Sequence, residues 1–208
     1  MKVVFDYQVF DWQEYGGISR YYYELAKYFI RNHICDLKII APLYTNKYIA
    51  DLDKDVVFGR YFPRINKTNR IRTYVNMLIT KVMIDNIYPD ILHETYYATH
   101  HLARPRTKTV ITVFDMIHEK CPEFFNAAEN KMQFIKSRAI NKADHVICIS
   151  ENTRNDLLEL TDIDSLRTSV IHLGYALTKY INDTSGPIIS HPFILLGSNE
   201  IQLQIILF

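Results

Sequence analysis

The chain has 208 residues, 48% of them hydrophobic, and a formal net charge of +1. That length makes one large α/β domain, or one domain and part of another, and the near-neutral balance excludes wholesale nucleic-acid binding. Three widely spaced cysteines, Cys35, Cys121 and Cys148, form no CxxC pair, so a reducing cytoplasmic setting is expected, and no apolar run reaches the roughly 18 residues of a membrane span.

Lys2 to Tyr7 is a β-branched and aromatic run that predicts a strand. A loop follows, then Gly16-Gly17, then a helix to about Arg31 with Tyr21, Leu25, Tyr28 and Phe29 at helical spacing. Leu37 to Ala41 predicts a second strand, stopped by Pro42, and an irregular segment from Leu43 to Asn69 holds a short strand at Val56 to Phe58. Ile71, Tyr74, Val75, Leu78 and Val82 mark the apolar face of a helix ending near Asn86. Beyond Pro89-Asp90, short strands are expected at Ile91 to His93, Thr109 to Phe114, His145 to Ile149 and Ser169 to Leu173, the last stopped by Gly174. Between them, Ala128, Met132, Ile135 and Ala139 fall on one helical face, and Ser150 caps a helix to about Leu160. Near-continuous apolar strands alternating with helices predict a doubly wound parallel sheet, whose ligands bind at the carboxyl ends of the strands.

Four stretches bear on chemistry. Gly16-Gly17 before a helix lets a phosphate or sugar approach free backbone N–H groups, or serves only to turn the chain. It is not GxGxxG, which disfavours a nicotinamide oxidoreductase. Asp115, His118 and Glu119 follow the clearest strand, where a carboxylate and an imidazole can orient hydroxyls or move protons, or simply end a strand and begin a turn. "ILHETYYATHH" clusters histidines with a glutamate, but Tyr97 stands where HExxH needs histidine, so no metal is expected; Tyr96 and Tyr97 either stack on a sugar or pack. From Arg60 to Lys81 there are six basic residues, among them Arg60, Arg64, Arg70 and Arg72, and no acid. That segment faces anionic lipid or a phosphorylated acceptor, or is a solvated surface.

In order and spacing, "GGISRYYYEL", "TVITVFDMIHEKCPEFF", "NKADHVICISENTRNDLLE" and "SVIHLGY" resemble the N-terminal domain of retaining family 4 glycosyltransferases of GT-B fold. The nearest likeness is to mannosyltransferase B-like enzymes of bacterial O-antigen and capsule synthesis. The resemblance implies a Rossmann-like acceptor-side domain over residues 1–186, with 187–208 as linker and first strand of a C-terminal donor domain. It implies transfer of a hexose, mannose first, from a nucleotide sugar such as GDP-mannose to a lipid-linked or polysaccharide acceptor, with retention and without metal or other cofactor. Gly16, Gly17, Ser19 and Arg20 become the loop at the donor phosphate. Asp115, His118 and Glu119 become catalytic candidates, and Arg60, Arg64, Arg70, Arg72 and Tyr96 face the acceptor or the inner face of the plasma membrane. Relatives often carry histidine just before the aspartate; here it is Phe114. The family continues beyond "HPFILLGSNE" with a Lys-Asn pair and two donor-binding glutamates, whereas this chain runs "IQLQIILF", so a truncated gene is expected, inactive alone. The alternative is a non-catalytic binding or assembly module that pairs with a separate C-terminal half.

Overall fold

The computed structural model describes residues 1–65, 67–98, 100–125 and 127–173. The expected stop at Gly174 and the segment 187–208 lie outside the described residues. Seven parallel strands form one sheet: β1 (Lys2–Phe5), β2 (Asp36–Tyr44), β3 (Val57–Tyr61), β4 (Ile91–Glu94), β5 (Lys108–Val113), β6 (His145–Cys148) and β7 (Thr168–Val170). Their order is β3-β2-β1-β4-β5-β6-β7, so the strand order reverses between β1 and β4. The connecting helices include α1 (Gln8–Trp12), α2 (Gly17–Arg31), α3 (Asn69–Ile87), α4 (Ile117–Lys120), α5 (Ala127–Lys142) and α6 (Glu151–Leu160). This is the doubly wound, Rossmann-like α/β sheet that the strand–helix alternation predicts.

The strands are short, buried and β-branched because helices cover both faces. Right-handed crossovers put α2 on one face and α3, α5 and α6 on the other, since β1–β2 and β3–β4 step in opposite directions. Side chains agree: at the end of β4, His93 meets Tyr22 of α2, whereas Glu94 bonds Lys142 of α5. One apolar core runs from β1 through α2 and β2, with Phe5, Phe10, Tyr22, Leu25 and Ile39 almost without exposure. A second, with Ile111, Val113, Ala139, Ile140, Val146 and Leu157, joins α5 and α6 to the sheet. The Ser150 hydroxyl caps α6, accepting a hydrogen bond from the Thr153 amide at 3.1 Å, as its sequence position predicts.

Three expectations are corrected. The loop after β1 contains α1, too short to leave a periodic signature. Strand β2 does not stop at Pro42 but continues to Tyr44, because its pairing with β3 shifts register between Ile40 and Leu43 and the proline sits in that irregularity. Gly59 of β3 makes the shift possible: its φ is +150°, and a Cβ there would lie 1.7 Å from the Ala41 carbonyl oxygen. The third correction concerns α3. The stripe Ile71, Tyr74, Leu78 and Val82 faces solvent, and the buried residues are Arg72, Asn76, Thr80 and Ile84. The bulge explains this inversion. It leaves backbone groups of β2 without strand partners, and α3 supplies them: the Leu43 N–H donates to Asn76 Oδ1 at 2.8 Å, and the Leu43 carbonyl accepts from Asn76 Nδ2 and Arg72 Nη2, both at 3.0 Å.

Candidate active site

In such a sheet the crevice where strand order reverses is the natural ligand site. Here it is closed by side chains. Asp6, just past β1, is fully buried and accepts from the Thr95 amide at 2.9 Å, the Thr95 hydroxyl at 2.6 Å and Gln8 Nε2 at 2.7 Å. These bonds sew the ends of β1 and β4 together, and burial pushes the Asp6 carboxyl above its ordinary value.

The open space lies one strand further on. A cavity of about 60 Å³ sits past the end of β5, lined by Ile18 of α2, Tyr96, Phe114, Asp115, His118, Glu119 and Lys136, among others. Three stretches separated in sequence thus converge: the start of the glycine helix, the aromatic pair after β4 and the acid–histidine loop after β5. A larger depression of about 460 Å³, between Tyr88–Asp90 and Arg104–Thr107, lies at the amino ends of β4 and β5, the edge such folds do not use.

The first turn of α2 has a distinct construction. Gly16, its N-cap, is extended, and a Cβ there would strike the Gln13 side chain at 2.3 Å. Gln13 Oε1 accepts the Ser19 amide at 2.9 Å, and the Ser19 hydroxyl donates to the Gly16 carbonyl at 3.1 Å. Ser19 is buried and braces the turn, so its expected place at the donor phosphate is corrected to a supporting one. Gly17 has no strained φ, and a Cβ on it would meet nothing within 4 Å. Packing within the described residues gives no reason for glycine there. Among the described residues no side chain caps the amides of Gly17 and Ile18 at the positive end of this 15-residue helix. Arg20 stacks over Tyr48, 6.0 Å from the ring centroid.

In the β5 loop, Asp115 is exposed and accepts from the Ile117 amide at 3.2 Å, starting α4. His118 stacks on Phe125 with ring centroids 4.0 Å apart. Glu119 is mostly buried; its Oε2 accepts from Lys136 Nζ at 2.9 Å, and its Oε1 has no hydrogen-bond partner among the described residues. Lys136 is 5% exposed and also donates to the Asp115 carbonyl. Sequence reading missed Lys136, which is one charged residue on a helix of mixed polarity; only its burial reveals its part. Phe114, just before Asp115, packs edge-on against Tyr21 at 5.5 Å.

Tyr96 lies between Trp12 and Tyr97, with ring centroids at 5.1 and 4.8 Å, and Trp12 is 39% exposed. This gives a half-exposed aromatic shelf beside the cavity, to which α1 contributes a residue the sequence did not single out. The basic residues do not join it. Arg60, Arg64 and Arg70 are exposed and none lines the cavity. Arg72 is corrected outright: it is 4% exposed, paired with Asp11 and bonded to the Phe62 and Leu43 carbonyls, so it can touch neither acceptor nor membrane. Among the described residues no group of three or more His, Cys, Asp or Glu side chains is placed to hold a metal ion.

Behind the cavity, Lys142 Nζ bridges both oxygens of Glu94, at 2.8 and 3.1 Å, and donates to the His100 carbonyl at 2.9 Å. Burial raises the Glu94 carboxyl from 4.5 to about 7 despite Lys142, with Asp6 adding to the rise. Across that window the folded chain keeps a proton that the unfolded chain has released, so this group's contribution to stability falls as pH rises from 4.5 to about 7. Urea titrations of the parent and Glu94→Gln should show the parent losing ground to the variant across that window. A pH-independent difference would contradict the assignment.

The sequence model described as Glycosyltransferase Family 4 matches residues 15–179. The chain belongs to glycosyltransferase family 4. No curated protein matches it. Among solved structures, this family 4 chain resembles the S. aureus MnaA–UDP co-structure, with TM-score 0.53 and 11% identity over 90% of this chain and 49% of that one. A glycosyltransferase from Rickettsia africae ESF-5 gives TM-score 0.47 and 18% identity, covering 84% of this chain and 43% of that one. Arabidopsis thaliana UGT89C1 complexed with UDP-L-rhamnose gives 0.43 and 8%, covering 88% and 54%. The likeness to the first is one of fold. The family 4 chain spans less than two thirds of the length of each of these structures. Among its described residues no helix is long and apolar enough to cross a membrane.

Proposed function

We propose that this family 4 chain is the acceptor-side half of a retaining glycosyltransferase that moves a hexose, mannose first, from GDP-mannose to a lipid-linked or polysaccharide acceptor. The convergence of Ile18, Tyr96, Asp115, His118 and Glu119 on one cavity at the carboxyl edge of the sheet carries this reading. The α2 terminus and the open Gly17 suit the leaving diphosphate, whose growing negative charge needs N–H donors and the positive end of a helix. On this reading Asp115 holds sugar or acceptor hydroxyls, and Trp12 with Tyr96 offers a face for a sugar ring. A cavity of about 60 Å³ is one wall of a site, well below the roughly 300–1,000 Å³ of small-molecule pockets. On this reading the opposing wall comes from a donor-binding half outside the described residues, on the same polypeptide or separately encoded. The free thiols of Cys35, Cys121 and Cys148 suit a cytoplasmic enzyme, with the acceptor presented at the inner face of the plasma membrane. No metal or other cofactor is part of this reading.

Gly17→Val tests it. In transfer assays with GDP-mannose, run with the donor-binding half supplied, the variant should lose about 100-fold in kcat/KM, the scale of removing backbone donors from a developing anion. Its melting temperature should not change, because a Cβ at Gly17 meets nothing. Full activity in the variant would reduce the glycine to a turn and remove the donor-phosphate reading.

A further inference from the structure

The outward stripe of α3 is an unusual surface. Ile71 is 69% exposed, Tyr74 58%, Leu78 45% and Val82 57%, in line along a helix about 28 Å long. In the preceding segment, Phe58, Phe62 and Ile65 are exposed as well. The sequence from Val56 to Ile84 contains no acidic residue, and Arg60, Arg64, Lys67 and Arg70 are all exposed within it. Exposed apolar side chains and exposed cations thus share the outer face of α3 and the β3–α3 segment leading into it. The buried face of α3 is committed to the β2 bulge, so the helix cannot roll to hide the stripe without orphaning the Leu43 backbone.

We propose that this surface, the outer face of α3 with the β3–α3 segment, docks on an anionic lipid bilayer, with Ile71, Tyr74, Leu78 and Val82 entering the headgroup boundary and Arg60, Arg64, Lys67 and Arg70 meeting lipid charge. Charge decides the occupant. A second copy meeting the same patch across a two-fold axis sets one basic rim against another, whereas an anionic leaflet complements it. Each well-placed basic residue near such a leaflet contributes about 1 kcal/mol, and apolar side chains on one helix face add their transfer from water. The inference deepens the membrane part of the preceding reading by naming the face and the lipid class, and it does not depend on the sugar chemistry.

The test is co-sedimentation of the full chain with vesicles of phosphatidylcholine containing phosphatidylglycerol, against vesicles of phosphatidylcholine alone. The parent should bind the anionic vesicles at least about tenfold more tightly, and less well as salt rises. A Leu78→Glu/Val82→Glu variant should lose at least about tenfold of that binding with an unchanged circular dichroism spectrum and melting temperature, because both side chains already face water. An Arg64→Glu/Arg70→Glu variant should lose binding too. Equal binding to both vesicle types, no binding to either, or full binding by the variants would overturn the proposal. So would a lipid-free dimer, seen by sedimentation equilibrium, that Leu78→Glu dissociates. Transfer to a soluble acceptor, with the donor-binding half supplied, reports separately on the glycosyltransferase reading and should be untouched by Leu78→Glu/Val82→Glu.

Discussion

Lys136→Met should unfold more easily than the parent by about 3–5 kcal/mol and, on the proposed transfer reading and with the donor-binding half supplied, lose most activity even where it remains folded. The ammonium is 5% exposed and holds two pieces of the β5 loop at once, Glu119 Oε2 at 2.9 Å and the Asp115 carbonyl. Removing it leaves a largely buried carboxylate with no cation, the costly way to break an ion pair. It also frees the Asp115–Glu119 turn that walls the cavity. Stability and function can be separated with a second variant. Glu119→Gln combined with Lys136→Met removes both charges and should recover much of the melting temperature, because no buried carboxylate is then left unpaired. If Lys136 positions the site, that double variant stays slower than Glu119→Gln alone, with kcat reduced more than KM rises. Recovery of both would assign Lys136 to stability alone.

Arg72→Met should cost a similar amount, about 3–5 kcal/mol in urea titrations, and on the proposed transfer reading should leave kcat of the folded fraction unaltered. Arg72 is the knot between four segments: it pairs with Asp11 of α1 and donates to the Phe62 carbonyl at 2.8 Å and the Leu43 carbonyl at 3.0 Å. Its loss strands the Asp11 carboxylate, which is 6% exposed, together with carbonyls at the bulge. Asp11→Asn added to Arg72→Met should return part of the loss, since an amide tolerates burial better than an uncompensated charge. A change below about 1 kcal/mol, the scale of exposed ion pairs, would mean that water reaches the pair.

Much of this was legible from the chain because parallel strands between helices carry their own signature: apolar runs of a few residues, each followed by a turn. The α2 start was legible for the same local reason, and the three site stretches were found because the carboxyl ends of strands can be located from strand positions alone. What failed was long-range. Pro42 stops a strand only if its neighbours need its N–H, and in the irregular stretch of β2 they do not. The face of α3 was misread because apolar periodicity locates a stripe but not the direction in which it points. Arg72 and Asn76 were drawn inward by carbonyls that only the bulge leaves unpaired. Lys136 and Trp12 were invisible for a related reason: their parts depend on neighbours far away in the chain.

The order of the sheet has a consequence for how the chain is made. Val3 of β1 pairs with Leu37 on one side and with Ile91 on the other. At translation rates of 5–20 residues per second, β4 follows β1 out of the ribosome after roughly 5–20 s. During that interval β1 and β2 can associate, but one edge of β1 stays open, with Val3, Val4 and Phe5 uncovered on that side. Closing a loop of that length before any contact rewards it makes the step slow and leaves a sticky strand edge exposed meanwhile. Nascent chains of this protein should therefore depend on chaperone holding until β4 arrives, and expression in cells with depleted holdases should shift it into the insoluble fraction more than a helical protein of equal size.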